Sequence, residues 1–111
     1  MTTSNLSQQK CQPCNAAMPA LLQAAIDPLM LQLSGWQQYD HLISRTYHFK
    51  NYYQTIAFVN AIAWLSHRED HHPELGVSFN QCRVEYTTHA IHGLSENDFI
   101  CAAKIDALYL A

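Results

Sequence analysis

Positive charge is scarce in this chain. Six Lys and Arg against nine Asp and Glu leave a formal net charge of −3 over 111 residues. No run of basic residues occurs, and a groove that tracks phosphates needs clustered cations, so no nucleic-acid partner is expected. Glycine is equally sparse, at three residues with four prolines, and no Gly/Ser/Pro-rich stretch inside the chain reads as a linker. Long apolar runs are missing too. The longest, Ala20 to Leu33, is interrupted by Gln23, Asp27, Pro28 and Gln32, well short of the ~20 apolar residues of a membrane span. Residues Met1 to Lys10 are polar and lack the charged-then-apolar pattern of a secretory signal, so the expectation is a cytoplasmic protein with no membrane partner. Four cysteines, only two of them closely spaced, make no disulfide framework for a chain that can build its own core. Reduced thiols are expected.

What is present is a globular composition, 49% hydrophobic, at the length of one domain that buries roughly two-thirds of its unfolded surface. Residues Pro19 to Leu33 are rich in helix formers, with Pro28 predicting a kink or a restart capped by Asp27. Ser34-Gly35 stop that helix. Trp36 to Tyr39 and Ile43 to Phe49 then read as a hairpin around Asp40-His41. Asn51 fits an N-cap with Gln54 three positions on, and Tyr52, Ile56, Val59, Ile62 and Ala63 recur at helical spacing. A helix from Tyr52 to about Asp70 would be about 30 Å long, and Pro73 stops it. Val77 and Phe79, then Val84 and Tyr86, alternate with polar residues and predict a second hairpin turning about Asn80-Gln81. Ser95 as N-cap, Asp98 reaching back and Leu94 packing on Phe99 predict a last helix from Glu96 to about Leu108. The order α-β-β-α-β-β-α predicts an α+β fold, a four-stranded antiparallel sheet with three helices packed on one face.

Histidine is abundant where other polar chemistry is not. Seven occur in a chain that is only 14% charged, and with an ordinary pKa of about 6.5 the imidazole is the side chain best suited to exchange protons near neutrality. His67, His71 and His72 lie within six positions, and Asp70-His71-His72-Pro73 places two imidazoles at a helix C-terminus. There the helix dipole favours the imidazolium by about 0.3 to 1 kcal/mol. Adjacent side chains at a helix end point in different directions and cannot share one packing role. His41, His48 and His92 read as ordinary surface or hydrogen-bonded histidines. His89 follows a strand, and the intervening hairpin can return it to the same pocket. His67 and His71 stand four apart, a spacing at which two imidazoles can share a metal. A metalloprotease pattern, however, needs Glu directly after the first His, where this chain has Arg68. No metal and no cofactor are expected. Cys11 and Cys14 form a lone C-x-x-C without a second pair and without the strand-to-helix setting of a redox motif. Residues 1–18 are therefore expected to be a flexible, inert arm ahead of one domain, 19–111.

Together, Asp70-His71-His72-Pro73-Glu74, the strand Val84 to Thr88 ending in His89, and Gly93-Leu94-Ser95-Glu96-Asn97-Asp98 resemble the pterin-4a-carbinolamine dehydratase family. Gly35-Trp36, Phe49-Lys50-Asn51-Tyr52 and Phe58-Val59-Asn60 add to the likeness, which spans roughly residues 20 to 110. The Cys11-Gln12-Pro13-Cys14 arm is similar to the leader of bacterial members associated with phenylalanine hydroxylation. The resemblance implies a homo-oligomer, dimer or tetramer, with strand pairing between subunits, consistent with open sheet edges inviting association. It also implies dehydration of 4a-hydroxytetrahydropterin to quinonoid dihydropterin, with pterin as substrate, no metal, and a functional link to phenylalanine hydroxylase. His71, His72 and His89 match the family's active-site histidines and Asp98 its accompanying aspartate. The position four before His71, commonly acidic in the family, is His67. The expected roles are proton transfer by His71 and His89, pterin binding by His72, and orientation of an imidazole by Asp98. Asp98 would have to combine that task with capping its own helix. Asp70, Pro73 and Thr88 are expected to bind or orient the substrate. The alternative is a non-catalytic dimerisation or assembly module that binds a protein partner.

Overall fold

The computed structural model describes residues 6–13 and 17–110. Helix α1 covers Gln23–Met30, strands β1 Gln37–Tyr39 and β2 Leu42–His48 form the first hairpin, and α2 runs over Tyr52–Glu69. Strands β3 Glu74–Val77 and β4 Gln81–Tyr86 form the second hairpin, followed by a short 3-10 turn at His89–Ile91 and by α3, Glu96–Leu110. The expected order of three helices and four strands is therefore found. The strands pair antiparallel throughout, in the spatial order β1-β2-β4-β3. The register sets Ile43 opposite Tyr86, Arg45 opposite Val84 and Tyr47 opposite Cys82, so these side chains share one face of the sheet. On that face Ile43, Tyr47, Cys82, Val84 and Tyr86 join Ile26, Phe58, Ile62, Leu65, Phe99 and Ile105 from the helices in one buried core. No helix among the described residues is long and apolar enough to cross a membrane.

Helix α2 begins as its sequence predicts. The Asn51 side chain accepts from the Gln54 N–H at 2.9 Å, and the Gln54 side chain reaches back to the Lys50 N–H at 3.1 Å, a reciprocal cap. Two other elements differ from expectation. Helix α1 is shorter, because residues before Gln23 are held extended, with the Leu21 N–H donating to the Leu94 carbonyl at 2.9 Å. The helix passes through Pro28 without restarting, and the Asp27 carboxylate accepts from Gln23 Nε2 instead of capping. The second hairpin turns earlier than the alternation of Val77 and Phe79 suggests. Strand β3 starts directly after Pro73, Val77 pairs with Cys82, and the Ser78 N–H closes the turn on the Gln81 carbonyl at 2.9 Å. Phe79 is thereby left in the turn and 62% exposed.

The open end of the core is pinned by one carboxylate. Asp106 of α3 accepts from Trp36 Nε1 at 3.0 Å, Arg45 Nη1 at 2.7 Å and the Tyr47 hydroxyl at 2.5 Å. Arg45 also donates to the Ser34 carbonyl at 2.6 Å and passes beside Gly35. Gly35 adopts φ +81°, where a Cβ would meet the Arg45 guanidinium at 2.9 Å, so glycine is needed at that position. Burial, reinforced by donation to Asp106, pushes the Tyr47 phenol up. Asp106→Ala would strand three partly or fully buried donors, and we predict a stability loss of about 2–4 kcal/mol in urea denaturation. A loss below about 0.5 kcal/mol, the scale of an ordinary surface substitution, would contradict this account.

Candidate active site

The histidines converge at one end of the sheet because three chain segments stop there. Helix α2 ends when Asp70 turns left-handed, at φ 54°, and its N–H and that of His71 both donate to the Ser66 carbonyl. Aspartate tolerates this conformation better than most residues. His71 and His72 follow immediately, and Pro73 leads into β3. At the end of β4, Thr88 and Gly93 bridge through a 2.9 Å bond from the Thr88 N–H to the Gly93 carbonyl. That bridge closes the tight loop carrying His89. The first turn of α3 supplies Asp98, which is fully buried.

The two duties foreseen for Asp98 do not compete, because the carboxylate divides them between its oxygens. Oδ1 lies 2.6 Å from His71 Nε2, whereas Oδ2 accepts from the Ser95 N–H at 2.9 Å and from the Thr88 hydroxyl at 2.8 Å. The Thr88 hydroxyl has a single proton and gives it to Asp98, so the Ser95 hydroxyl, 2.7 Å away, donates to Thr88. An ionised carboxylate only accepts, so His71 Nε2 carries the proton of their bond and Nδ1 is the nitrogen left for other chemistry. The His71 ring also lies nearly parallel to the buried Tyr86 ring, at 13° and 5.4 Å between centroids. Burial opposes the charged imidazole, but the bond and charge of Asp98, with lesser help from Cys11 and Asp70, outweigh it and raise the His71 pKa above its ordinary value.

Two cavities meet at this end. One, of about 380 Å³, is lined by Asp70, His71, His72, Thr88, His89 and Ala90 together with Cys11, Gln12, Pro13 and Glu69. The other, of about 370 Å³, is lined by His72, His89 and Tyr86 and by His41, Glu74, Glu85 and His92 among others. His72 and His89 thus stand on the border of both. The first cavity gathers five of the residues expected from sequence, with Asp98 directly behind His71. Pro73 lines neither; α2 already ends at the left-handed Asp70, and Pro73 leads from His72 into β3. His41 and His92, read from sequence as ordinary surface groups, border the second cavity, whereas His48 does not. His67 is exposed on α2, and since that helix ends at Glu69 the four-residue helical spacing to His71 does not apply. Among the described residues no three His, Cys, Asp or Glu side chains cluster so as to hold a metal ion.

Sequence reasoning missed Tyr86 as a ring partner, Glu69 as an anchor for the arm, and the docking of the arm itself. Cys14 lies outside the described residues. Residues 6–13 of the stretch read as a flexible arm make specific contacts. Leu6 is buried in the core, Lys104 Nζ donates to the Ser7 carbonyl at 2.8 Å, and the Cys11 and Cys101 sulfurs are 3.3 Å apart. Glu69, whose side chain is 6% exposed, accepts from the Cys11 N–H at 3.1 Å and pairs with Arg68. Burial pushes its carboxyl up, but the Cys11 N–H and the Lys104 and Arg68 charges more than reverse this and hold it below the ordinary range. The one sequence signal for the docking is Leu6, an isolated apolar residue in a polar stretch.

An α+β fold that sets imidazoles around a cavity of ligand size, one of them held by a buried carboxylate, presents the groups that acid-base chemistry uses. Comparison with known proteins specifies the family. The family model for pterin 4 alpha carbinolamine dehydratase matches residues 19–108, and the chain belongs to that family. A relative from Nitrosospira multiformis, provisionally named pterin-4-alpha-carbinolamine dehydratase, is 61% identical over 108 residues, covering 97% of this chain and 96% of its own length. The crystal structure of a transcriptional coactivator/pterin dehydratase from Brucella melitensis superposes with a TM-score of 0.77 at 28% identity, over 80% of this chain and 97% of that one. A pterin dehydratase-like protein identified as a RuBisCO assembly factor in the alpha-carboxysome matches with a TM-score of 0.57 at 27% identity, over 67% of this chain and 86% of its own.

The Asp98 contact makes a testable link to pH. Because the folded state raises the His71 pKa, its proton-linked stabilisation is fully present below the unfolded value of about 6.5 and disappears as pH rises through the folded value. In Asp98→Asn the His71 pKa, followed by NMR, should fall relative to wild type. The stability deficit of the variant should be larger at pH 6 than at pH 9. An unchanged His71 titration would contradict the assignment.

Proposed function

We propose that this protein dehydrates 4a-hydroxytetrahydropterin to quinonoid dihydropterin by histidine general acid-base catalysis. The observation that carries the reading is the shared cavity of His71, His72 and His89, with His71 held by the buried Asp98 carboxylate. Family membership narrows the substrate class to pterins. Loss of water from the carbinolamine requires a proton for the hydroxyl leaving carbon 4a and removal of the proton on nitrogen 5. His71, whose charged form Asp98 favours, supplies the first through Nδ1. His89 accepts the second, and the two transfers leave the protein with no net change of proton number. His72 binds and positions the ring, while Asp70 and Thr88 border the site and Thr88 also holds Asp98. Such positioned acid-base catalysis contributes about 10² to 10⁴-fold. That suffices for an elimination already assisted by the nitrogen lone pair, with no covalent nucleophile or redox cofactor in the scheme.

The physiological setting of this reading is recycling of the pterin cofactor of an aromatic amino-acid hydroxylase in the cytoplasm. Self-association through the open edges of β1 and β3 accompanies it. A second reading, a non-catalytic assembly role, is favoured by the name of the carboxysomal neighbour; the assembled histidines favour catalysis. Both are decided by turnover of freshly generated 4a-hydroxytetrahydropterin. Wild type should accelerate dehydration, each of His71→Ala and His89→Ala should slow it, and the double variant should lose about 10²-fold or more. Full activity in the double variant rejects the histidine assignment. Absence of turnover in folded wild type rejects the enzyme reading in favour of assembly.

A further inference from the structure

We propose that the docked segment Cys11–Pro13 is a wall of the pterin site that sets substrate affinity, and that Asn97 is the positioning residue holding it there. The inference rests on the dehydratase reading and adds to it a part of the chain outside the 19–108 match. The 380 Å³ cavity has three sides: the end of α2, the loop after β4, and this segment. Removing the third side would open the cavity that His71 lines, while His72 and His89 would still border the second one. A flat heterocycle needs concave walls to bury its faces, so the segment completes the kind of concavity in which small ligands are held.

The attachment is specific and uses the backbone. Asn97 Oδ1 accepts from the Gln12 N–H at 2.9 Å and Asn97 Nδ2 donates to the Gln12 carbonyl at 2.6 Å, so one side-chain amide pairs with both polar groups of one residue. The Cys11 N–H adds the 3.1 Å bond to Glu69, one residue before the left-handed Asp70 that sets the direction of His71. Farther back, the buried Leu6 anchors the segment to the core. These bonds take up the Cys11 N–H and both backbone groups of Gln12, and leave the side chains of Gln12 and Pro13 exposed at the cavity, the Gln12 amide only 3.5 Å from the Lys10 carbonyl. They present an amide and an aliphatic ring, matching the hydrogen-bonding edge and the flat face of a pterin. Asn97 and Asp98 are neighbours in the first turn of α3. One turn of helix therefore fixes both the wall and the acid, keeping substrate and His71 in register. The wall touches no reacting atom in the proposed chemistry, so its loss should weaken binding and leave proton transfer intact.

The test uses Asn97→Ala, which releases the wall, and Pro13→Trp, which keeps the backbone bonds and fills the cavity from an exposed position. Binding of 7,8-dihydropterin is measured by calorimetry, turnover by steady-state kinetics, and docking by amide hydrogen exchange at Cys11 and Gln12, whose N–H groups make the docking bonds. In Asn97→Ala, exchange at Cys11 and Gln12 should accelerate and Kd and KM should rise on the order of 3- to 10-fold, the scale of one or two net hydrogen bonds. Its kcat and the pH profile of kcat should stay as in wild type, whereas a disturbance spreading to Asp98 would shift that profile. In Pro13→Trp, KM should rise with exchange unchanged. The proposal is overturned if exchange accelerates in Asn97→Ala without a change in KM, if the pH profile shifts, or if Pro13→Trp binds dihydropterin like wild type. With wild type turning over and the His71 and His89 variants impaired, such results remove the wall alone. Wild type that neither binds dihydropterin nor turns over removes the dehydratase reading with it.

Discussion

A single buried carboxylate organises the functional end of this molecule. Asp98 has no contact with solvent, and a charge in such a place is tolerable only when its lone pairs are taken up by donors. Three donors from three segments meet that demand: the His71 ring after α2, the Thr88 hydroxyl after β4 and the Ser95 N–H at the head of α3. The need to satisfy Asp98 thus ties together the chain segments that carry the histidines. Stability and the proton affinity of His71 depend on the same bonds here. The partner that makes the carboxylate tolerable is also the imidazole whose proton affinity it raises.

Asp106 plays the corresponding part at the other end of α3, where it gathers Trp36, Arg45 and Tyr47. Helix α3 is held at both ends by carboxylates facing the sheet, one serving the core and one serving the cavity. The difference between them is the donor set. Asp106 meets an indole, a guanidinium and a phenol, none of which gives up a proton readily near neutrality, whereas Asp98 meets an imidazole, which does.

The elements were largely legible from the sequence, because caps and periodicity are local. Asn51 with Gln54, Ser95 with Asp98, and the alternation in β2 and β4 each predict what is found. The β3 turn is not legible in the sequence because Phe79 continues the apolar alternation of Val77, and only the pairing of Glu74 with Glu85 shows that the strand begins earlier. The start of α1 is not legible either, because the bond from Leu21 to Leu94 spans 73 positions and leaves no trace in local propensity. The histidines of the site were legible as a cluster and through family resemblance. The division of labour between the two Asp98 oxygens was not, since capping and ring orientation look like rival demands until their directions are known. The docking of Gln12 onto Asn97 was invisible for a similar reason. Backbone pairing with a side-chain amide requires no pattern in the arm, and among the described residues the sulfur beside Cys11 is that of Cys101, 90 positions away.

The central claim is that His71, His72 and His89 surround one pterin and that His71 addresses it through the nitrogen Asp98 leaves free. A crystal structure of the protein with bound 7,8-dihydropterin tests this most directly. The account predicts the ring in the cavity between Asp70–His72 and Thr88–Ala90, with His71 Nδ1 toward its carbon 4a and nitrogen 5 edge and His71 Nε2 still on Asp98. A pterin seated away from His71, or a His71 ring turned off Asp98 to meet it, would contradict the account.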